Sequence, residues 1–311
     1  MALSLWSFFS CSKESALPQE QRALQFSTVE SKSNLSLLFT TFKVWGELCV
    51  ASSSEPLIQG YRVNYFNNQW SYTQGEGTEG QEMKYWSYSA DEYRFHAGAP
   101  LERVNEITAS SLTLQVNKTR SQDETTLFTQ PYVVKRGDAQ FGNTVNLKFT
   151  YANCRVNVAV KCKASKEVKV SDIKLTPPAS VYYPTSCTMQ LSYDWSRQSI
   201  SLTSLTKQSE ANAPLEFAEI TIPAESANSV ESSSPLYMIP DAGITGQWRA
   251  TLKIDGIARE VLFTVDKGWE SGKSYIYSFL YTDQATLLFL GTTTELFIGE
   301  DMVNGGNHNF S

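Results

Sequence analysis

The feature that most constrains the fold is an alternation of apolar and polar residues with a period of two. VNLKFTY (145–151) is apolar at every second position, and after a break at AN the alternation resumes in CRVNVAVKC (154–162). WRATLKIDGIAREVLFTV (248–265) and KSYIYSFLY (273–281) alternate in the same way. Successive residues of a strand point to opposite faces, so this pattern predicts strands with one buried face. No window of comparable length has the 3.6-residue period of an amphipathic helix. The sequence therefore predicts an all-β protein.

Turn signals divide these strands and suggest where domains end. Asp255-Gly256 lies between two alternating runs and is typical of a two-residue hairpin turn. Signals of this kind recur about every eight to twelve residues, which is typical of sandwiches and barrels. The polar stretch KRGDAQFGNT (135–144) is the best boundary. We expect a leader and tether at 1–22, an N-terminal sandwich at 23–137 and a C-terminal sandwich at 140–311, since 311 residues exceed one ordinary core.

Charge and cysteine content exclude several classes of function. The formal net charge is −6, from 26 basic and 32 acidic residues, which argues against binding to nucleic acid. The five cysteines are odd in number and lack CxxC spacing, so they predict neither a disulfide framework nor a zinc site. Cys154 and Cys162 lie on one extended strand, more than about 20 Å apart and too far to bridge. We predict no metal and no cofactor.

The N-terminal stretch LSLWSFFSC resembles the signal of a bacterial lipoprotein. A short apolar run ends in the small residue Ser10, followed by Cys11 as the lipid acceptor and a polar SKES tether. Two or more acyl chains anchor a protein stably in a membrane. No Lys or Arg precedes the run, although secretory signals carry a basic segment there, so we expect the natural start upstream of Met1. The alternative is a frayed N-terminus with an incidental cysteine.

Residues that could support catalysis are sparse. The chain has two histidines, His96 and His308, and lacks the GxSxG, HExxH and Walker patterns. His96 is out of phase with Phe95 in the strand YRFHAGAP, so we expect it to face solvent. Acidic pairs such as Asp91-Glu92 lie in predicted turns, where they are ordinary solvated charges. The sequence predicts no enzyme.

Four segments carry a resemblance to a known family. The first is YRVNYFNNQWSYTQGEGTEGQEMKYWSYSADEYRFHAGAP (61–100), and the others are VNLKFTYANCRVNVAV, PLYMIP and KGWESGKSYIYSF. Together they resemble the Bacteroidales fimbrillin family, although Tyr151 stands where that family frequently has His. The matching residues of the first segment are Trp70, Tyr85, Trp86, Tyr93, Phe95, Ala97, Ala99 and Pro100. Those of the last segment are Trp269, Tyr275 and Tyr277.

The resemblance implies both a fold and a role. The fold is two tandem transthyretin-like Greek-key β-sandwiches, in which the matching aromatic residues fill the cores. We expect Trp70, beside the NNQ turn, to be partly exposed. The implied role is a fimbrial subunit, exported as a lipoprotein of the outer membrane. Its partners would be other fimbrial subunits, bound by β-strand addition, with host or bacterial surface molecules as candidate ligands.

In related subunits a protease cuts after a basic residue and removes the first strand. The candidates here are Arg22, before QFSTVE, and Lys32, after it. Only a cut at Lys32 would remove that strand, because a cut at Arg22 trims the tether alone. The family more often has Arg at the later position, and an uncut subunit would remain a lipid-linked anchor.

Two further features bear on the role. The donor strand should come from the C-terminal region, where TTTELFIG (292–299) is the apolar candidate and the last strand of the second sandwich its simpler interpretation. The polar tail after it favours an anchor, tip or minor component over a shaft subunit. A second hypothesis is a glycan-binding lipoprotein of a polysaccharide-uptake system. That hypothesis needs coplanar exposed aromatic rings, whereas assembly needs buried rings and a removable first strand.

Overall fold

The computed structural model describes residues 22–28, 38–51, 53–162, 164–282 and 284–297. The described residues form 23 strands and three short 3-10 helices, which confirms the prediction of an all-β protein. In chain order the strands are β1 (Phe26–Thr28), β2 (Thr41–Val50), β3 (Ser53–Phe66), β4 (Gln69–Ser71), β5 (Glu92–Ala99), β6 (Val104–Ile107), β7 (Ser111–Asn117), β8 (Leu127–Thr129), β9 (Tyr132–Lys135), β10 (Val145–Leu147), β11 (Phe149–Tyr151), β12 (Cys154–Cys162), β13 (Val168–Thr176), β14 (Tyr183–Asp194), β15 (Ser199–Ala211), β16 (Leu215–Phe217), β17 (Ile220–Ile222), β18 (Val230–Glu231), β19 (Leu236–Met238), β20 (Gly246–Ile254), β21 (Ile257–Val265), β22 (Lys273–Tyr281) and β23 (Leu287–Leu296). The 3-10 helices are Leu101–Arg103, Gln122–Glu124 and Ala242–Ile244.

These strands form four larger sheets and one short parallel pair. Sheet I has the order β11-β8-β5-β2-β3-β4, with β9 also pairing with β5. Sheet II has the order β15-β14-β7-β6. Sheet III is β18-β12-β22-β23 with β19 beside β12, and sheet IV is β16-β13-β20-β21 with β17 beside β13. The strands β1 and β10 form the parallel pair.

Local sequence signals account for the hairpins. The strands β20 and β21 pair in register from Gly246↔Val265 to Ile254↔Ile257. Asp255 and Gly256 in the turn have φ angles of 47° and 82°, the left-handed region that a type I′ turn requires. The alternating segment KSYIYSFLY forms β22, which pairs with β23 as a second antiparallel hairpin.

Sheets III and IV enclose the C-terminal core between them. Alternate side chains of β12, β13, β20 and β22 point into it, so the period-two pattern of the sequence becomes the inner face of a sandwich. Its aromatic members are Tyr183, Phe217, Trp248, Phe263, Trp269, Tyr275, Tyr277 and Phe279.

Sheet I is a central layer with apolar residues on both faces. One face carries the first-strand core, which includes Phe42, Trp86 and Phe95 and is completed by Leu24 and Phe26. The opposite face packs against sheet II through the junction core, whose members include Val104, Leu112, Leu114, Met189, Leu191 and Tyr193.

This layering overturns the expectation that His96 faces solvent. His96 points away from Phe95, as the alternation requires, but its side chain is 0% exposed. Its ring lies 4.1 Å from that of Tyr193 and 5.6 Å from that of Trp195, which belong to sheet II and its edge. A sandwich of two layers would leave the His96 face of sheet I in water. Here sheet II is a further layer and covers that face.

Strand pairing crosses the predicted boundary at 137–140 in both directions. Before the boundary, β7 pairs with β14 over seven residues. After it, β10 pairs with β1, and β11 pairs with β8. The N-terminal and C-terminal portions therefore share sheets as well as a covalent link.

Candidate assembly site at the first strand

The first strand lies over sheet I as a short inserted segment. It pairs in parallel with β10, with Phe26 opposite Val145. Within ALQF, the two larger apolar side chains are two positions apart, so an extended backbone sends both to one face. Leu24 is 0% exposed and Phe26 is 4% exposed, whereas Gln25 between them is exposed.

An aromatic slot receives the ring of Phe26. Its centroid lies 5.8 Å from the rings of Tyr72 and Phe95 and 6.3 Å from that of Phe42, all in edge-to-face geometry. This geometry suits the ring quadrupoles and adds about 0.5–1.5 kcal/mol per pair to the area buried. The absence of a side chain at Gly46 leaves space for the Phe95 ring that lines the slot, because a Cβ there would lie 2.6 Å from this ring.

Backbone hydrogen bonds fix the segment along its length. The amide of Trp86 donates to the carbonyl of Arg22 at 3.0 Å, and the amide of Leu24 donates to the carbonyl of Lys84 at 2.8 Å. The amide of Val145 donates to the carbonyl of Gln25 at 2.8 Å. The segment is thus clamped between 84–86 on one side and β10 on the other, as an added strand is held in β-augmentation.

Side chains add two contacts at the ends of the segment. The hydroxyl of Tyr72 donates to the Leu24 carbonyl at 3.0 Å, and burial raises the pKa of that hydroxyl. The indole nitrogen of Trp70 donates to the Thr28 hydroxyl at 3.2 Å. All of these contacts are noncovalent: backbone and side-chain hydrogen bonds together with aromatic packing hold the segment in place.

Comparison with protein families identifies the fold around this slot. The family described as "Fimbrillin-like" matches residues 49–295, which is most of the chain. The chain belongs to the fimbrillin-like family. Membership implies a cell-surface location and contact with other fimbrial subunits. The resemblance found in the sequence is therefore confirmed.

Solved structures share the fold of this fimbrillin-like chain at low sequence identity. A fimbrial protein from Bacteroides vulgatus ATCC 8482 has a TM-score of 0.57 and 11% identity, covering 89% of this chain and 99% of its own. A candidate cell adhesion protein from Bacteroides ovatus ATCC 8483 has a TM-score of 0.51 and 12% identity, covering 91% of this chain and 99% of its own. Identity this low supports the shared fold alone. No curated protein matches the sequence.

The fimbrillin-like aromatic residues of the N-terminal segment differ in exposure. Trp86, Tyr93 and Phe95 are at most 1% exposed and form one ring cluster, with Tyr93 4.6 Å from Trp86. Trp70 is half-buried, and Pro100, which follows β5 through a cis peptide bond, is buried. Tyr85 is 44% exposed, so the expectation that it fills the core is wrong. Its backbone bridges to Ala23 of the first segment, while the alternation points its ring outward.

The C-terminal aromatic residues form a second, separate cluster. Trp269, Tyr275 and Tyr277 are all under 5% exposed and lie in the C-terminal core. The indole nitrogen of Trp269 donates to the Tyr277 hydroxyl at 3.1 Å. Burial raises the pKa of Tyr277, and it raises that of Tyr275 to about 12. The two clusters belong to different cores and are not brought together.

The residues predicted for processing lie around the first strand in sequence. Arg22 is exposed, and its carbonyl accepts the Trp86 amide. Lys32 and Cys11 lie outside the described residues, as does His308. Among the described residues, no helix has the length and apolar character needed to cross a membrane.

Exposed rings are scattered over the described surface. Phe66, Tyr85 and Tyr182 are the aromatic residues more than 40% exposed. In the described part of the chain no ring contact joins any two of them. The coplanar platform required by the glycan-binding hypothesis is therefore not formed by these three residues.

The apolar donor candidate is already part of a sheet. Residues 292–296 of TTTELFIG lie in β23 and pair with β22, which matches the simpler interpretation. The following Phe297 is 5% exposed and stacks on Tyr151 at 3.9 Å. The chain thus leaves β23 beside the first-strand core, to which both rings belong.

The four cysteines in the described part of the chain are packing residues. Cys49, Cys154, Cys162 and Cys187 are all buried. Burial raises the pKa of Cys154, and it raises that of Cys187 to about 12, so both thiols stay protonated at neutral pH. The described residues contain no cluster of His, Cys, Asp and Glu that could hold a metal ion.

Sequence reasoning missed several residues that build the slot. Tyr72, Lys84 and Val145 contact the first strand from loops or from a strand more than 40 residues away. The L-x-F spacing of Leu24 and Phe26 was a usable signal for the inserted side chains. The partners have no local signal, because they are set by tertiary packing.

Proposed function

We propose that this protein is a surface subunit of a fimbria and that its first strand keeps an assembly groove filled until the strand is removed. The observation that carries the proposal is the burial of Leu24 and Phe26, two positions apart on a segment of only seven described residues. Full burial of two such side chains contributes about 3–6 kcal/mol in total. A replacement strand with the same spacing could recover that free energy.

Removal of the segment would leave a groove that lacks both apolar packing partners and hydrogen-bond acceptors. The rings of Phe42, Tyr72 and Phe95 would lose their partner, and the amides of Trp86 and Val145 would lose their acceptors. Unpaired backbone groups in an apolar groove are costly, so the groove would favour an extended donor from another subunit. That donor needs two apolar side chains at positions i and i+2, running parallel to β10.

The processing site and tether extend the proposal. A cut at Lys32 would free the strand, and lipid on Cys11 would hold an uncut chain at the outer membrane. Because residues 292–296 are already paired in β23, a free apolar donor is lacking in the described C-terminal region. This supports an anchor, tip or minor subunit over a repeating shaft subunit.

Strand exchange can be tested with two chains that differ only in the position of one specific protease site. The first carries the site in place of residues around Lys32, and the control carries it just before Arg22. After cleavage, both are mixed with a labelled peptide of residues 22–28. We expect the first chain to bind the peptide and the control to exclude it. A Phe26→Ala peptide should bind at least about 100-fold more weakly, because truncating a buried Phe costs about 3–5 kcal/mol.

Failure of the peptide to enter after a confirmed cut and release of the strand would contradict complementation, while family membership would stand. Labelling with a fatty-acid analogue tests the tether separately. The parent chain should be labelled and the Cys11→Ala variant should not.

A further inference from the structure

The outer edge of sheet II is a long strand without protection. The strand β15 spans thirteen residues, pairs with β14 on one side, and ends the order of its sheet. Nearly all of its residues are exposed, and in the described part of the chain no strand lies on its other side. Its outward backbone groups are therefore available for pairing.

Natural edge strands are usually blocked by charge, proline or short length. The segment Ser199–Thr206 reads SISLTSLT and has no charge, no proline and no glycine. The first charge is Lys207, which is neutralised by Glu210 and Asp241, each at 2.9 Å. By contrast, the edge strand β21 carries two charged residues, the half-buried Arg259 and the exposed Glu260. The edge strand β23 is also uncharged from Leu287 to Thr294, but that run contains Gly291, whereas the first eight residues of β15 have neither charge, proline nor glycine.

The segment is also complementary to itself when read in opposite directions. With an antiparallel axis between Leu202 and Thr203, four pairs face each other: Ser199 with Thr206, Ile200 with Leu205, Ser201 with Ser204, and Leu202 with Thr203. The faces match as well. Ile200 and Leu205 both pack against the junction core, whereas Ser201 and Ser204 lie opposite Ser192 and Gln190 on the outer face of sheet II.

We propose that β15 pairs with β15 of a second copy about a two-fold axis, which joins two four-stranded sheets into one continuous sheet. An isologous contact of this kind requires a self-complementary patch, as these pairs provide. Leu202 is 50% exposed in the single chain and lies next to the axis, where Thr203 of the second copy would lie opposite it. Within Ser199–Thr206 the register of β15 against β14 shifts between Leu202 and Ser204. In the proposed dimer, the residues before this shift pair with the residues after it in the second copy.

Charges beyond the segment do not oppose this register. Continuing the same pairing places Lys207 opposite Gln198 and Arg197 opposite Gln208, so no like charges meet across the axis. The contact uses sheet II and leaves the first strand untouched. It is therefore independent of strand complementation and can be tested on an uncut chain.

The test introduces charged residues at Ser201 and Ser204, which face each other across the proposed two-fold axis. In the proposed register Ser201 of each copy faces Ser204 of the other, so the double variant S201K/S204K places like charges opposite each other twice. The matched control S201E/S204K places opposite charges there instead. Sedimentation equilibrium of the 311-residue chain, from micromolar to submillimolar concentration, measures the mass, and near-ultraviolet circular dichroism checks the fold.

We expect the parent chain and S201E/S204K to reach twice the monomer mass. S201K/S204K should dissociate at least about tenfold more readily, because like charges directly opposite destabilise strand pairs. A mixture of S201K/S204K with S201E/S204E should form heterodimers. A parent chain that stays monomeric over the whole series would overturn the proposal. The proposal would also be overturned if S201K/S204K dimerised as strongly as the parent chain. The same holds if the mixture of S201K/S204K and S201E/S204E formed no heterodimers.

Discussion

Protonation of His96 should make the protein lose stability as the pH falls below neutrality. The Nε2 atom of His96 lies 2.7 Å from the carbonyl oxygen of Thr108, which fixes a neutral tautomer with its proton on Nε2. The Nδ1 atom is buried without a hydrogen-bond partner among the described residues. A second proton would therefore create a buried charge whose new N–H has no acceptor.

The magnitude follows from the pKa of this group. Burial lowers the pKa of His96 from 6.5 to about 4, and the bond to Thr108 only partly offsets the effect. At 1.36 kcal/mol per pKa unit, the difference corresponds to about 3 kcal/mol. Because the folded state has the lower pKa, the unfolded state takes up the proton first. The contribution is therefore fully present above about pH 6.5, decreases between pH 6.5 and 4, and is lost below pH 4, with about 2–3 kcal/mol lost at pH 4.5.

The assay compares urea unfolding of the parent chain with that of His96→Gln at pH 7 and pH 4.5. Gln keeps an amide donor for the Thr108 carbonyl but cannot titrate in this range. Carboxylates affect both proteins alike, so the difference between their pH dependences isolates His96. We expect the free energy of unfolding of the parent chain to fall by about 2–3 kcal/mol more than that of the variant.

Two results would refute this reasoning. The first is an equal loss of free energy of unfolding in both proteins between pH 7 and 4.5. The second is a proton NMR titration in which both histidines of the chain show a pKa near 6.5, because His308 and His96 are the only imidazoles present.

Two substitutions should lower stability for different reasons. Gly268→Ala would place a Cβ 2.4 Å from Cα of Ala242, and this clash can be relieved only by a shift of the backbone. We expect the free energy of unfolding, measured by thermal unfolding, to fall by about 2 kcal/mol or more. Asn153→Ala would leave the amide of Thr126 and the carbonyl of Asn117 unpaired, since the 0% exposed side chain bonds them at 3.1 and 2.9 Å. We expect a loss of about 2–4 kcal/mol there, and an unchanged melting temperature in either variant would contradict its premise.

The sequence predicts those parts of the fold that local patterns determine. The turn at Asp255-Gly256 and the alternation on either side specify β20 and β21 without help from the rest of the chain. The burial of the aromatic residues Trp86 and Phe95 is what the family resemblance implies. The inference of the hairpin needs only neighbouring residues and the geometry of a strand.

What the sequence does not predict is how many layers cover a strand. Alternation in β5 correctly separates Phe95 from His96, but it cannot show that sheet II covers the second face. Prediction of the candidate site is limited in the same way. The L-x-F spacing of Leu24 and Phe26 is a local signal, whereas their contact with Lys84 depends on a loop more than 50 residues away that has no such pattern.

The strand pairing across residues 137–140 leads to a last prediction about how the two halves hold together. A single protease site inserted in this exposed loop would cut the chain into two fragments. Sheet II takes β6 and β7 from the first fragment and β14 and β15 from the second, and the β1–β10 and β8–β11 pairs also join the two. Separating them would expose two faces of sheet I and leave three strand edges unpaired, so the nicked chain should elute as one particle in native gel filtration and separate only in denaturant. The same fragments produced separately should fail to unfold cooperatively. Two fragments that part in native buffer and melt cooperatively on their own would show that the shared sheets contribute little, and that the boundary at 137–140 divides two independent domains.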